Sequence, residues 1–89
     1  MNATMSQSVI ETLADLVRIP SVNPNYSDGT GELAVARYVE SFFADRGIPT
    51  MRQAVMKDRP NVIAKVPGSL STGRVILEAH MDTVSAAGM

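Results

Sequence analysis

Along the first half of the chain, apolar residues recur with helical spacing. In SVIETLADLVRI, residues 8 to 19, Val9, Ile10, Leu13, Leu16 and Val17 fall at i, i+1, i+4, i+7 and i+8, one stripe of a helix. Ser8 and Glu11 form the S-x-x-E of a capping box at its start. Pro20 ends it, because the residue before a proline is pushed out of the helical region and the ring cannot continue the helix. The following PSVNPNYSDGTG is dense in residues whose backbone freedom and short polar side chains favour turns, so it reads as a loop. A second helix is predicted over ELAVARYVESFFADR. Leu33, Val35, Ala36, Val39, Phe42 and Phe43 cover one broad arc, Arg37, Ser41 and Asp45 lie opposite, and Gly47 is placed to cap the carboxyl end.

The period then changes to that of strands. PTMRQAVM alternates loosely and is predicted to be exposed along one face. NVIAKV ends at the turn signal Pro67-Gly68 and lies close enough to the first strand to form a hairpin across KDRP. RVILEA, preceded by GSLSTG, is nearly continuous in apolar residues, as in a strand covered on both faces. The expected order is helix, helix, strand, strand, strand, a mixed α/β layer architecture. There is no internal repeat.

Composition narrows what such a chain does. At 89 residues it accommodates one core, or part of one. The eight Lys and Arg are spread from Arg18 to Arg74, so no basic patch points to nucleic acid; the nearest cluster, Arg52, Lys57 and Arg59, reads as a solvated strand edge or turn. With no cysteine, disulfides, thiolate zinc sites and cysteine nucleophiles are excluded, leaving imidazole and carboxylate as metal donors. Glu11 and Asp15 stand where a signal peptide would be apolar, and no apolar run reaches membrane-spanning length. The expectation is a cytoplasmic chain with neither membrane nor nucleic acid as partner. Ser21 and Asn61 read as turn residues, Asn61 satisfying backbone groups at a strand start.

The residues that carry chemistry stand just past the third predicted strand. If the backbone stays extended through Met81, His80 and Asp82 share a face. They would project outside the carboxyl end of the strand, where ligands collect in open α/β sheets. A neutral imidazole is a common zinc ligand, and a nearby carboxylate can either ligate the metal or accept the second ring N–H, fixing the tautomer. H-x-D alone is a weak signal. Its place at the end of a buried strand strengthens it, since either group left buried and unpaired would cost a few kcal/mol.

VILEAHMDTV, residues 75 to 84, resembles the first metal-ligand motif of the co-catalytic zinc metallopeptidases that include acetylornithine deacetylase, succinyl-diaminopimelate desuccinylase, aminoacylases and the carboxypeptidase G type. LADLVRIPSVNP resembles that family's opening helix and Ile-Pro-Ser turn, GELAVARYVESFFADRGI its second helix, and RPNVIAKVPG the Asn-led strand before the metal strand. The likeness runs in family order from Ser8 to Ser85. Ala79 stands where the family often has Gly, and Ser85 where Pro often follows the Val that is Val84 here. The resemblance implies the N-terminal part of a mixed-sheet zinc-hydrolase catalytic domain. His80 would bind one of two zinc ions, with cobalt as a substitute, and Asp82 would be the catalytic-site carboxylate behind it that orients the ring. It further implies hydrolysis of the amide bond of N-acyl amino acids or peptides by a metal-activated water with a glutamate as general base.

The chain offers one histidine and nine carboxylates. Asp28 and Glu32 are the acids placed to fold back toward the strand ends, and they read as solvated residues at a helix start. Residues 1 to 89 are therefore expected to be an incomplete, N-terminal portion of a single catalytic domain, inactive alone. The alternative is a non-catalytic fragment or interaction module pairing through an open sheet edge, for instance as a homo-oligomer.

Overall fold

The computed structural model describes residues 8–69 and 72–87. It is a small mixed α/β arrangement of α1 (Val9–Arg18), α2 (Leu33–Ala44), β1 (Thr50–Met56) and β2 (Arg59–Ala64). Local chemistry explains the boundaries. Ser8 is extended (φ −73°, ψ 162°) and its Oγ accepts the Glu11 N–H at 3.1 Å, satisfying a backbone donor that the first turn of α1 leaves open. Ile19, ahead of Pro20, is extended at φ −84°, ψ 119°. After α2, Gly47 adopts φ +72°; its N–H bonds to the Ala44 carbonyl and that of Ile48 to the Phe43 carbonyl, each at 3.0 Å. This pair of bonds is a Schellman motif, which requires the left-handed residue that glycine supplies.

β1 and β2 pair antiparallel from Thr50↔Ala64 to Met56↔Arg59 around Lys57-Asp58, the hairpin expected across KDRP. Asp58 takes the left-handed turn position (φ 59°), and the register shifts between Ala54 and Met56. α2 lies against this hairpin and contributes the buried hydrophobic residues Val35 and Ala36. The Tyr38 hydroxyl donates to Asp15 Oδ2 at 3.0 Å, linking α2 to α1.

Three expectations are corrected. The third strand, RVILEA, does not form among the described residues; Val75, Ile76 and Leu77 are 87%, 88% and 92% exposed. A strand of that composition needs a ladder partner on an edge and a layer over each face, and neither hairpin edge reaches it. The stripe of α1 is likewise uncovered, with Val9, Ile10, Leu13 and Val17 all exposed. β1 is exposed along nearly its whole length rather than on one face, because no layer covers its outer side. Asn61 does not serve a turn: its Nδ2 donates to Gln53 Oε1 at 3.0 Å across the hairpin, where the two are direct register partners. Among the described residues no helix is long and apolar enough to cross a membrane.

Candidate functional site

The segment that carries His80 and Asp82 is held by the loop after α1 rather than by a sheet. Asn23 N–H donates to the Thr83 carbonyl and Thr83 N–H to the Ser21 carbonyl, both at 2.9 Å, forming a parallel bridge between Val22 and Thr83. Ser21, read from sequence as a plain turn residue, is buried here with its Oγ 3.5 Å from Thr83 Oγ1. Further along, Ser85 Oγ donates to Asp28 Oδ2 at 2.9 Å. The loop is itself tightly drawn. Gly31 N–H reaches the Val22 carbonyl at 3.0 Å, and a Cβ at Gly29 would collide with the Asn23 carbonyl.

His80 Nδ1 lies 2.8 Å from the Asp82 carbonyl oxygen and 3.1 Å from Asp82 Oδ1. A carbonyl oxygen and an ionised carboxylate only accept, so Nδ1 carries the proton. The neutral ring is then the Nδ1–H tautomer, and the lone pair sits on Nε2, on a side chain 85% exposed. The side chains of residues 80 and 82 therefore meet, although among the described residues no strand leads into them.

The other side of the Asp82 carboxylate is also engaged. Oδ2 accepts Asn23 Nδ2–H at 2.8 Å, and Arg59 Nη2 stands 3.9 Å away. The Asn23 hydrogen bond is the main reason that the Asp82 carboxyl is held below the usual carboxylate range; partial burial opposes it, and the hydrogen bond and charge of His80 reinforce it. Arg59 in turn donates from Nε to Glu32 Oε1 at 2.8 Å. Glu32 was expected to be solvated, but only 7% of it is exposed and its Oε2 is buried without a hydrogen-bond partner. The reason is that Arg59, at the start of β2, brings a guanidinium to the amino end of α2. An open cleft of about 250 Å³ is bordered by Glu32, Arg59, Pro60, Ala79, His80 and Asp82.

Sequence reasoning missed Asn23 and Arg59, and it placed Glu32 near the strand ends but read it as solvated. Asn23 lay among turn formers and Arg59 among scattered surface cations, and no spacing rule connects residues 23, 32, 59 and 82. Asp28, read as solvated, is exposed but bonded to Ser85.

A zinc site takes about three protein ligands when catalytic and four when structural. Both oxygens of Asp82 are occupied by His80 and Asn23, which leaves His80 Nε2 as the outward-facing donor of the pair. Among the described residues, no group of three or more His, Cys, Asp or Glu side chains could hold a metal ion. The residues present fit one ligand with its orienting carboxylate and do not compose a whole centre. The chain matches no protein-family model, no curated protein and no solved structure.

Proposed function

We propose that this chain contributes one corner of a zinc amidohydrolase or peptidase site of the kind its motif resembles, acting on N-acyl amino acids or peptides. In this reading the described fold is the N-terminal part of the catalytic domain, and the remaining ligands and the general base come from outside the described residues. One observation carries it: His80 Nδ1 stands against two acceptor oxygens of Asp82, which leaves Nε2, on an exposed side chain, as the nitrogen with an available lone pair. A metal-ligating histidine is ordinarily set in this way, with the second ring nitrogen donating to a carboxylate or carbonyl. Bound zinc would supply Lewis-acid polarisation and an acidified water. Asp82 orients the ring and Asn23 holds Asp82.

Zinc titration of the 89-residue chain, followed on the His80 ring nitrogens by NMR, tests the ligand role. The expected result is a perturbed Nε2 signal with weak affinity, weakened a further 10-fold or more by Asp82→Asn, on the order seen for such supporting carboxylates. A metal effect at Nδ1, or none up to millimolar zinc, removes His80 from the role. In a polypeptide supplying the other ligands, unchanged hydrolysis of acylated amino acids by His80→Ala would refute the enzymatic reading.

A second reading rests on the uncovered apolar stripe of α1 and on Val75, Ile76 and Leu77, which together leave substantial apolar surface in water. The chain would then be a non-catalytic interaction module that pairs with a second copy of itself. Sedimentation equilibrium over a range of concentrations decides it, and a monomer throughout removes it.

A further inference from the structure

Asp82 is more than a neighbour of His80; it is the meeting point of side chains from three separate parts of the chain. Asn23 approaches from the loop after α1, with Nδ2 at 2.8 Å from Oδ2. Its amide cannot turn freely, because Oδ1 accepts the Asn25 N–H at 2.8 Å in an Asx turn. With the oxygen so occupied, the NH2 end must face the carboxylate. Arg59 approaches from β2, with Nη2 at 3.9 Å from the same oxygen. The guanidinium is held in turn by Glu32 at the start of α2, through Nε at 2.8 Å from Oε1. Glu32 is nearly fully buried while Arg59 is 22% exposed in its side chain, so the holding contact is the better shielded end of the chain of charges.

We propose that Asn23 and Arg59, the latter anchored by Glu32, are positioning residues that clamp the Asp82 carboxylate and thereby fix His80 as the Nδ1–H tautomer with a free Nε2. This deepens the reading of His80 as a ligand and rests on it for its purpose, but the clamp itself is a property of the metal-free chain. Two acceptors of Asp82 compete to take the Nδ1 proton, its carbonyl and its Oδ1. The carbonyl is available in any backbone-ordered state. Oδ1 is available only while the carboxylate is turned toward the ring, which the donors on Oδ2 enforce. Removing those donors frees the carboxylate to rotate into solvent; the ring keeps the carbonyl as its one acceptor, the bias toward Nδ1–H weakens, and the Nε2–H tautomer gains population.

His80 is the single histidine of the chain, so its ring nitrogens give an unambiguous readout in a histidine-labelled sample. The expected wild-type spectrum, with the ring neutral, shows Nδ1 in the protonated, pyrrole-type range and Nε2 in the pyridine-type range. Asn23→Asp is the discriminating variant: it keeps the acceptor of the Asx turn but sets a carboxylate against Asp82 in place of the donor. Arg59→Gln removes the cation from the other direction. Both should move the two ring signals toward each other, with Asn23→Asp the larger shift because its contact is the shorter. A wild-type ring that is mainly Nε2–H, or variants whose ring signals match the wild type while hairpin amides stay dispersed, would overturn the clamp. Should one variant unfold, the other decides; should both unfold, the wild-type tautomer decides alone. Zinc binding at Nε2 without any tautomer change in the variants would overturn the clamp and leave the ligand role standing. A tautomer response without zinc binding would do the reverse.

Discussion

Arg52 on β1 grips Glu40 on α2 through two parallel hydrogen bonds, Nε to Oε2 and Nη2 to Oε1, both at 2.8 Å. The fork geometry is the strongest a carboxylate can accept from one side chain, and it ties the hairpin to the helix that packs on it. The Arg52 hydrogen bond is the main reason that the Glu40 carboxyl sits below its ordinary range, and Glu40 correspondingly raises Arg52.

Acid should therefore loosen the contact between α2 and the hairpin. A carboxylate with a depressed folded-state pKa stabilises the fold above its unfolded value, and that contribution disappears as pH falls through the folded value. For Glu40 the loss begins below about pH 4, in the ordinary carboxylate range. The pair is solvent-exposed, so the effect should be small and should fade at about 1 M salt. Denaturation midpoints measured between pH 7 and pH 3 for wild type and Arg52→Gln check this. Equal acid sensitivity in the two would show that the pair contributes nothing.

Gly47→Ala should destabilise the chain by about 1 kcal/mol, the penalty for an L residue in the left-handed region. At φ +72° an added Cβ meets nothing within 4 Å, so the cost is backbone strain alone. Gly47→Asn should recover part of it, since asparagine tolerates this region. Urea unfolding of the three proteins gives the comparison, and equal stability of Gly47→Ala and wild type would contradict the cap.

Glu32→Gln should cost roughly 2 kcal/mol, because it leaves the guanidinium of Arg59 partly desolvated without its 2.8 Å carboxylate partner. Double mutation of Glu32→Gln with Arg59→Gln should cost less than the sum of the single changes. Strict additivity in that cycle would mean that the two side chains are not coupled.

Ile76→Lys separates the sequence expectation from the observed structure most directly. At 88% exposure, Ile76 is replaceable at a cost within about 0.5 kcal/mol, as for an ordinary surface position. A strand covered on both faces would not tolerate a lysine there. A loss of several kcal/mol would restore the third strand and count against the described arrangement.

The elements that sequence located are those whose cause is local. Ser8, Pro20 and Gly47 set helix ends through their own backbone chemistry, and the hairpin needed only two neighbouring strands and a turn residue able to take φ 59° at Asp58. Burial was harder to foresee. Continuous apolar character in Val75, Ile76 and Leu77 states what those residues would prefer as neighbours, but not whether the chain brings such neighbours to them. The site was legible in part: the two-residue spacing of His80 and Asp82 is a local relationship. Asn23 and Arg59 reach Asp82, and Glu32 reaches Arg59, only through tertiary placement, which no periodicity encodes.

The contact of Ser21 with Thr83, beside the Val22–Thr83 bridge, closes across sixty-two residues, whereas the helices and the hairpin close over short spans. Long loops are entropically slower to shut, so the helices and hairpin can assemble before residues 80 to 85 dock. A segment fastened by so few long-range bonds also opens without global unfolding. The Asn23 and Thr83 amides should accordingly exchange with deuterated solvent sooner than those paired between β1 and β2, making the imidazole corner the last part of the molecule to be set and the first to come undone.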